Sequence, residues 1–177
     1  YPNFEIIFIN SKCANSEKIE KKISAFLGLD VKVFSTPPLF PGDARNLGIK
    51  KSRASLVAFL DVRTIPTKSW LKEMYEFKIL NNFDIVLGKF ICKVETNFQE
   101  SVQAITFGNN PSDSLPGSLL SIELFKEIGD FLEGARAGED EEWLDRVYNS
   151  KYSLGTMSFS SLNYVGLPLR SSDLVKK

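Results

Sequence analysis

The chain has 177 residues, of which 43% are hydrophobic and 25% charged, and this length is enough for one globular domain that buries about 70% of its unfolded surface. Its 22 basic and 22 acidic side chains leave no net charge, so the general electrostatic attraction of a nucleic-acid binder is missing and no nucleic-acid partner is expected. The absence of histidine excludes Ser-His-Asp hydrolysis, Cys-His proteolysis and imidazole metal sites, which leaves acid–base chemistry to carboxylates.

The first half of the chain alternates short apolar strands with helices. The first predicted strand is nearly all apolar, as a strand buried on both faces of a parallel sheet is, and the helix after it stops at Gly28. Asp43 is predicted to cap the second helix, and Asp61 follows the strongest strand directly. The predicted elements are a strand at residues 4–9, a helix at 16–27, a strand at 31–34, a loop at 35–42, a helix at 43–51, a strand at 56–60, a helix from residue 66 to the break at 81–82, and a strand at 84–92.

The second half is less regular and rich in turn residues. It predicts a short strand at 118–122, a helix at 123–128, a loop at 134–138, a helix that starts in the acidic run 139–142, and one or two strands within 152–166. The alternation of strands and helices predicts an α/β fold, with a mostly parallel sheet flanked by helices and a small mixed part near the C-terminus. The longest apolar runs are far shorter than the ~20 residues that cross a bilayer.

The two cysteines, Cys13 and Cys92, lie far apart and lack the spacing of a zinc or redox pair. Two reduced cysteines in or near the core are therefore favoured over a disulfide. The chain enters its first strand directly, without the charged and apolar regions of a signal peptide.

Ligands of open α/β sheets bind at the carboxyl ends of the strands. This rule nominates Asn10 with Ser11 after the first strand and Asp61 to Arg63 after the central strand, with the segment 138–142 as a loop able to cover them. No glycine-rich dinucleotide or P-loop motif follows any strand, so the ligand must be held in another way.

Four stretches resemble the family 2 glycosyltransferases with the GT-A fold. They are residues 42–51, residues 56–61 with Pro66 and Trp70-Leu71, residues 116–118 with 124–131, and residues 138–143. The resemblance covers about residues 4 to 150. It implies inverting transfer of a sugar from a nucleotide-diphosphate donor to a glycan or lipid-linked acceptor hydroxyl. The implied setting is cell-surface polysaccharide or glycolipid synthesis, in the cytoplasm or peripherally associated with the inner face of the membrane.

The resemblance also implies roles for individual residues. Asp140 matches the catalytic base, and Glu139 is expected to orient the acceptor. The donor-binding residues would be Asn10, Arg45, Asp61 and Arg63, and the acceptor-binding residues would be Gly117 and Trp143.

Several of these residues also have a purely structural interpretation. Asp61 could cap a turn, Arg63 could form a surface ion pair, and Trp143 could pack in the core. Arg45 and Asn46 could join their helix to the loop before it, and the acidic run could be a solvated helix N-terminus.

The chain departs from the family pattern in three ways. Asn10-Ser11 replaces an acidic pair, and Arg63 replaces the second acid of Asp-x-Asp, so the implied divalent cation (Mn or Mg) would lose a carboxylate and meet a positive charge. The family's first strand and helix are missing, which predicts an N-terminally incomplete single domain. Residues 1–92 would form its nucleotide-binding half, 93–150 its acceptor half and 151–177 an extension. The alternative function is a catalytically degenerate GT-A module that binds a glycan or protein partner.

Overall fold

A computed structural model describes residues 3–11, 16–23, 28–108, 113–157 and 162–174. The chain forms two compact units, Tyr1–Val57 with Ser121–Lys151 and Ala58–Leu120 with Tyr152–Lys177. The elements in chain order are β1 (Glu5–Asn10), α1 (Ser16–Ile23), β2 (Asp30–Ser35), α2 (Pro41–Lys51), β3 (Leu56–Ala58), β4 (Thr64–Pro66), α3 (Trp70–Leu80), β5 (Ile85–Cys92), α4 (Asn97–Thr106), β6 (Asp113–Ser121), α5 (Ile122–Ile128), α6 (Glu139–Tyr148), β7 (Leu154–Thr156), β8 (Leu162–Tyr164) and α7 (Ser171–Leu174).

The first unit combines a small parallel sheet with three packed helices. β1 and β2 pair in parallel from Glu5 opposite Asp30 to Asn10 opposite Ser35. Helix α2 packs on β1, and both α2 and α5 contact α6. The core between α5 and α6 contains three aromatic rings, those of Phe125, Phe131 and Trp143. Their centroids lie 5.2 to 5.6 Å apart. Each is at most 1% exposed, so this cluster fixes the position of α6 in the unit.

The second unit is built around β5, whose residues Ile85, Val86 and Leu87 are completely buried. β5 pairs antiparallel with β6 and parallel with both β7 and β8, and β8 pairs antiparallel with β4. Helix α3 packs against β5, and its residues Trp70 and Met74 are buried. Strand β5 is apolar throughout its first half because neighbouring strands flank it on both edges and its faces are covered.

The register between β5 and β6 shifts between Val86 and Gly88. The backbone there approaches so closely that a Cβ on Gly88 would collide with the carbonyl of Pro116, which leaves glycine as the fitting residue. The Ser118 hydroxyl accepts the Gly88 N–H at 2.9 Å and donates to the Ser114 carbonyl at 2.7 Å. The bulge therefore keeps its buried polar groups satisfied.

The predicted α/β class is confirmed, and the structure adds that the larger sheet is mixed. The strands predicted at 4–9, 31–34 and 84–92 are present as β1, β2 and β5. The predicted first helix is present as far as Ile23, and residues 24–27 lie outside the described part. Each unit is formed by two separate stretches of the chain. The predicted division into a nucleotide-binding half up to residue 92 and an acceptor half after it stays a prediction.

Two local predictions need correction. Asp43 does not cap α2, because the helix already begins at Pro41, whose fixed φ suits the first helical position. The sequence interpretation also lacked α4, although Thr96 and Gln99 carry a capping signal: the Thr96 side chain accepts the Gln99 N–H.

Cys92 is buried and carries a free thiol, and burial raises its pKa above the ordinary value. This agrees with the prediction of a reduced cysteine. Cys13 lies outside the described residues. Within the described part of the chain, no helix is both long and apolar enough to cross a membrane.

Candidate active site

The acidic run forms the first turn of α6, where negative charge is stabilised by the free N–H groups of the helix. Gly138 precedes the helix with φ 82°, a left-handed conformation that favours glycine, and it provides no side-chain cap. Glu139 is only 3% exposed. Asp140 is half-buried, and its Oδ1 accepts the Glu141 N–H at 3.1 Å. The two neighbouring acids therefore lie in different environments.

The structure brings together two residues for which the sequence predicted separate roles. Nη1 of Arg45, on α2, lies 2.6 Å from Oε1 of Glu139. The exposed fractions of the two side chains are 13% and 4%. The guanidinium carbon also lies 5.5 Å from the ring centroid of Phe131, a cation–π distance. Arg45 and Glu139 thus form a sheltered, charge-assisted pair.

Asn46 strengthens the same connection one residue further along α2. Its Nδ2 donates to the Phe131 carbonyl at 3.0 Å, and its Oδ1 accepts the Phe131 N–H at 2.9 Å. The side chain of Asn46 is thus bonded to Phe131 and not to the loop before α2, contrary to the structural alternative given above. The signal in the sequence was the spacing of Gly42, Asn46 and Ile49, which places all three on the buried face of the helix.

Asn10 lies at the carboxyl end of β1, as predicted, and is 8% exposed. Its Nδ2 is 3.5 Å from the Ser35 hydroxyl, and its carbonyl accepts the Thr36 N–H at 3.0 Å. These contacts tie the ends of the two parallel strands together. The donor-binding role of Asn10 stays a prediction.

Asp61, Val62 and Arg63 form an exposed turn in the second unit. The Thr64 hydroxyl donates to the Asp61 carbonyl at 2.8 Å and accepts the Asp61 N–H at 3.1 Å, which closes the turn. Val62 is 86% exposed. The turn therefore presents the side chains of Asp61 and Arg63 outward.

Arg63 extends from this turn along β8. Its backbone carbonyl accepts the Val165 N–H at 2.9 Å, and its Nη1 lies 3.5 Å from the Gly166 carbonyl. The side chains of Arg63 and Tyr164 both pass close to Gly166, where an added Cβ would collide with Arg63 Cδ and Tyr164 Cζ. No ion pair of Arg63 is found among the described residues.

The two predicted acceptor residues are buried. Gly117 has φ 89°, its N–H donates to the Phe59 carbonyl at 2.7 Å, and a Cβ there would collide with the Leu162 side chain. Trp143 has no exposed surface, and its Nε1 donates to the Gly129 carbonyl at 2.9 Å. Burial favours packing roles for both residues. Their contact with an acceptor stays a prediction.

The residues at the Asp61 turn do not fit a divalent cation. The turn offers one carboxylate beside a guanidinium, whereas Mn or Mg needs several oxygen ligands. Across the described ranges, no group of three or more His, Cys, Asp or Glu side chains is gathered in a metal-binding arrangement.

Comparisons with known proteins identify the family that the sequence matches. The family described as "Glycosyl transferase family 2" matches residues 1–137. An "Uncharacterized glycosyltransferase" of Rickettsia bellii (strain RML369-C) is 30% identical over 151 residues, which cover 79% of this chain and 21% of that protein.

Solved structures support the fold. S. aureus TarS 1-349 in complex with UDP-GlcNAc has a TM-score of 0.70 at 19% identity, over 94% of this chain and 51% of that one. The complex of the same TarS fragment with UDP has a TM-score of 0.68 at 19% identity, over 98% and 53%. The chain thus spans about half of these structures and about a fifth of the Rickettsia relative. The family match covers more than three quarters of the chain, and the chain belongs to glycosyl transferase family 2.

Proposed function

We propose that this chain transfers a sugar from a nucleotide-diphosphate donor to an acceptor hydroxyl with inversion, and that Asp140 is the general base. The observation that carries the proposal is the contrast between the two acids that open α6. Glu139 is buried and paired with Arg45 at 2.6 Å, whereas Asp140 is partly accessible. A base must reach the proton that it removes, and of the two acids Asp140 meets this condition.

The proposed step is a single displacement. The acceptor oxygen attacks the anomeric carbon and forms the new C–O bond, while the bond from that carbon to the diphosphate oxygen breaks. The bonding electron pair leaves with the nucleoside diphosphate, and the hydroxyl proton passes to the Asp140 carboxylate. With no histidine in the chain, a carboxylate is the natural group for this proton transfer.

A UDP-sugar is the proposed donor. The support is the shared fold with S. aureus TarS, which was solved with UDP-GlcNAc and with UDP. We assign donor contacts to Asp61 and Arg63, because the turn that holds them is exposed and Nη1 of Arg63 lies 3.5 Å from the Gly166 carbonyl. A guanidinium can pair with diphosphate oxygens in a planar, two-pronged geometry. Arg63 would then neutralise the negative charge of the diphosphate, at a position where the family pattern has an acidic residue that binds a cation.

Calorimetric titration of the protein with UDP tests the donor assignment. With EDTA present, UDP should still bind, and Arg63→Met should raise its Kd by about tenfold, the size expected for one charge-assisted contact. Lys72→Met removes an exposed positive charge that pairs with Glu76 on α3 and should leave the Kd unchanged.

Other results would favour other accounts. UDP binding that requires manganese and disappears in EDTA would contradict the role of Arg63. Failure to bind UDP under either condition would favour the alternative, a catalytically degenerate module that binds a glycan or protein partner. The same proposal includes a glycan or lipid-linked acceptor and a role in the synthesis of cell-surface polysaccharide or glycolipid. It also includes a location in the cytoplasm or at the inner face of the membrane.

A further inference from the structure

We propose that Arg45 is a positioning residue that places Asp140 through Glu139, and that it does not contact the donor. The inference rests on the proposed function, in which Asp140 is the base. It replaces the donor-binding role that the sequence resemblance implied for Arg45.

The first step is the position of the ion pair. Glu139 is the first residue of α6, Asp140 is the second, and Gly138 provides no side-chain cap. The start of the helix is therefore not defined by the usual cap. Arg45 holds the Glu139 carboxylate at 2.6 Å, which fixes the backbone from which Asp140 projects.

The second step is that α2 holds the whole segment before α6. At one end, Asn46 makes two hydrogen bonds with the backbone of Phe131. In the middle, the Asp43 carboxylate accepts the Gly134 N–H, with both oxygens 3.3 Å from that nitrogen. At the other end is the Arg45–Glu139 pair. The segment from 131 to 139 is thus anchored to one helix at three points.

The third step is that the Arg45 side chain, on α2, is already engaged within the protein. The Arg45 guanidinium is engaged by Glu139 and lies over the Phe131 ring, with its side chain 13% exposed. An arginine in this state offers little surface to a diphosphate. Without its charge, Glu139 would be a buried carboxylate lacking its cation, which is strongly unfavourable. The carboxylate would then turn toward water and displace the adjacent Asp140.

A double-mutant cycle tests this coupling. The four proteins are the parent, Arg45→Met, Asp140→Asn and the double variant, and the assay measures kcat for UDP release from UDP-GlcNAc with water as the acceptor. Arg45→Met should lower kcat by about tenfold or more, since a misplacement of ~1 Å can cost up to about 10²-fold, and should leave the Kd for UDP within about twofold. In the Asp140→Asn background, Arg45→Met should change kcat by less than about twofold, because the group that it positions is absent. Arg45→Lys, which keeps the charge, should recover part of the rate.

Two results would overturn the inference while the proposed function stands. A Kd for UDP raised by about tenfold in Arg45→Met would make Arg45 a donor ligand. An equal loss of kcat in both backgrounds would reduce Arg45 to general structural support. Should Arg45→Met fail to fold, Glu139→Gln breaks the pair from the other side and must show the same coupling to Asp140. A parent protein that neither binds UDP nor turns over UDP-GlcNAc would remove the proposed function and this inference together.

Discussion

Two adjacent carboxylates at the start of α6 differ in what surrounds them. Glu139 faces Arg45 and is 3% exposed, whereas Asp140 is half-buried and accepts the N–H of the neighbouring Glu141. A carboxylate held in an ion pair and sheltered from water lacks access to a substrate proton. This difference supports a structural role for Glu139 and the proposed catalytic role for Asp140.

This difference could not be predicted from the sequence. The acidic run and the glycine before it indicated a helix start with candidate acids, and both are found. The partner that separates Glu139 from Asp140 lies 94 residues earlier in the chain, and no local pattern reports such a contact. The exposed turn at residues 61–63 was easier to predict, because a short turn after a strand is a local feature. The donor-binding roles of Asp61 and Arg63 stay predictions.

Glu5 gives a pH-dependent contribution to stability. Lys32 Nζ lies 2.5 Å from its Oε2, and the Arg53 N–H donates to its Oε1 at 2.8 Å. These contacts, led by the Lys32 hydrogen bond, lower the pKa of Glu5 from 4.5 to about 2. Because the folded-state pKa lies below the unfolded one, the contribution is complete above pH 4.5 and is lost as the pH falls toward 2.

Glu5→Gln should therefore lower the free energy of unfolding at pH 6, and the difference from the parent should shrink at pH 3. Urea denaturation at the two pH values measures this. Glu133→Gln changes an exposed glutamate of the same unit and should show no such convergence. A Glu5→Gln difference of equal size at pH 6 and pH 3 would contradict the role of Glu5.

At the scale of elements, α2 is the part that organises the first unit. Its first turn approaches the segment before α6 so closely that a Cβ on Gly42 would lie 2.9 Å from the Leu132 carbonyl and 3.1 Å from Cγ of Glu139. Gly48, six residues further along, would place its Cβ 3.7 Å from Ile9, an ordinary contact distance. The same helix thus offers a tight glycine and a tolerant one.

Alanine at the two positions should have opposite effects. Gly42→Ala must move backbone atoms and should destabilise the protein by about 1 to 3 kcal/mol, the range for overpacking. Gly48→Ala should be neutral or stabilise by up to ~1 kcal/mol, because alanine is the better helix former. Thermal unfolding of the two variants measures both. Equal effects would show that α2 is not held closely against residues 131–139.

Elements with clear periodicity were predicted well, and short or irregular ones were not. In α3, Trp70 and Met74 are buried at the predicted spacing and the helix ends at the predicted break. Its start was predicted wrongly, because Pro66 lies in β4 and the helix begins at Trp70. Strand β4 has three residues, too few for an alternating pattern to be recognised. Helix α4 was missed because its capping signal was not used, although its Thr96 cap is present.

At the scale of the whole molecule, the α/β class and the family were predictable, and strand pairing was not. Alternating elements predicted parallel pairing, but β5 pairs with β6 antiparallel. Which strands meet, and in which direction, depends on long-range packing that the local pattern of residues does not report. The Gly88 bulge, which sets that register, depends on the distant Pro116 carbonyl.

The central claim is that Asp140 removes the acceptor proton in sugar transfer, and the kcat of Asp140→Asn tests it most directly. With UDP-GlcNAc as donor, kcat should fall by ~10²-fold or more, in the range for loss of a general base, while the Kd for UDP stays at the parental value. Glu141→Gln alters the exposed neighbour and should retain the parental kcat. An Asp140→Asn variant with the parental kcat would reject Asp140 as the base, and one that loses UDP binding would assign it to the donor side.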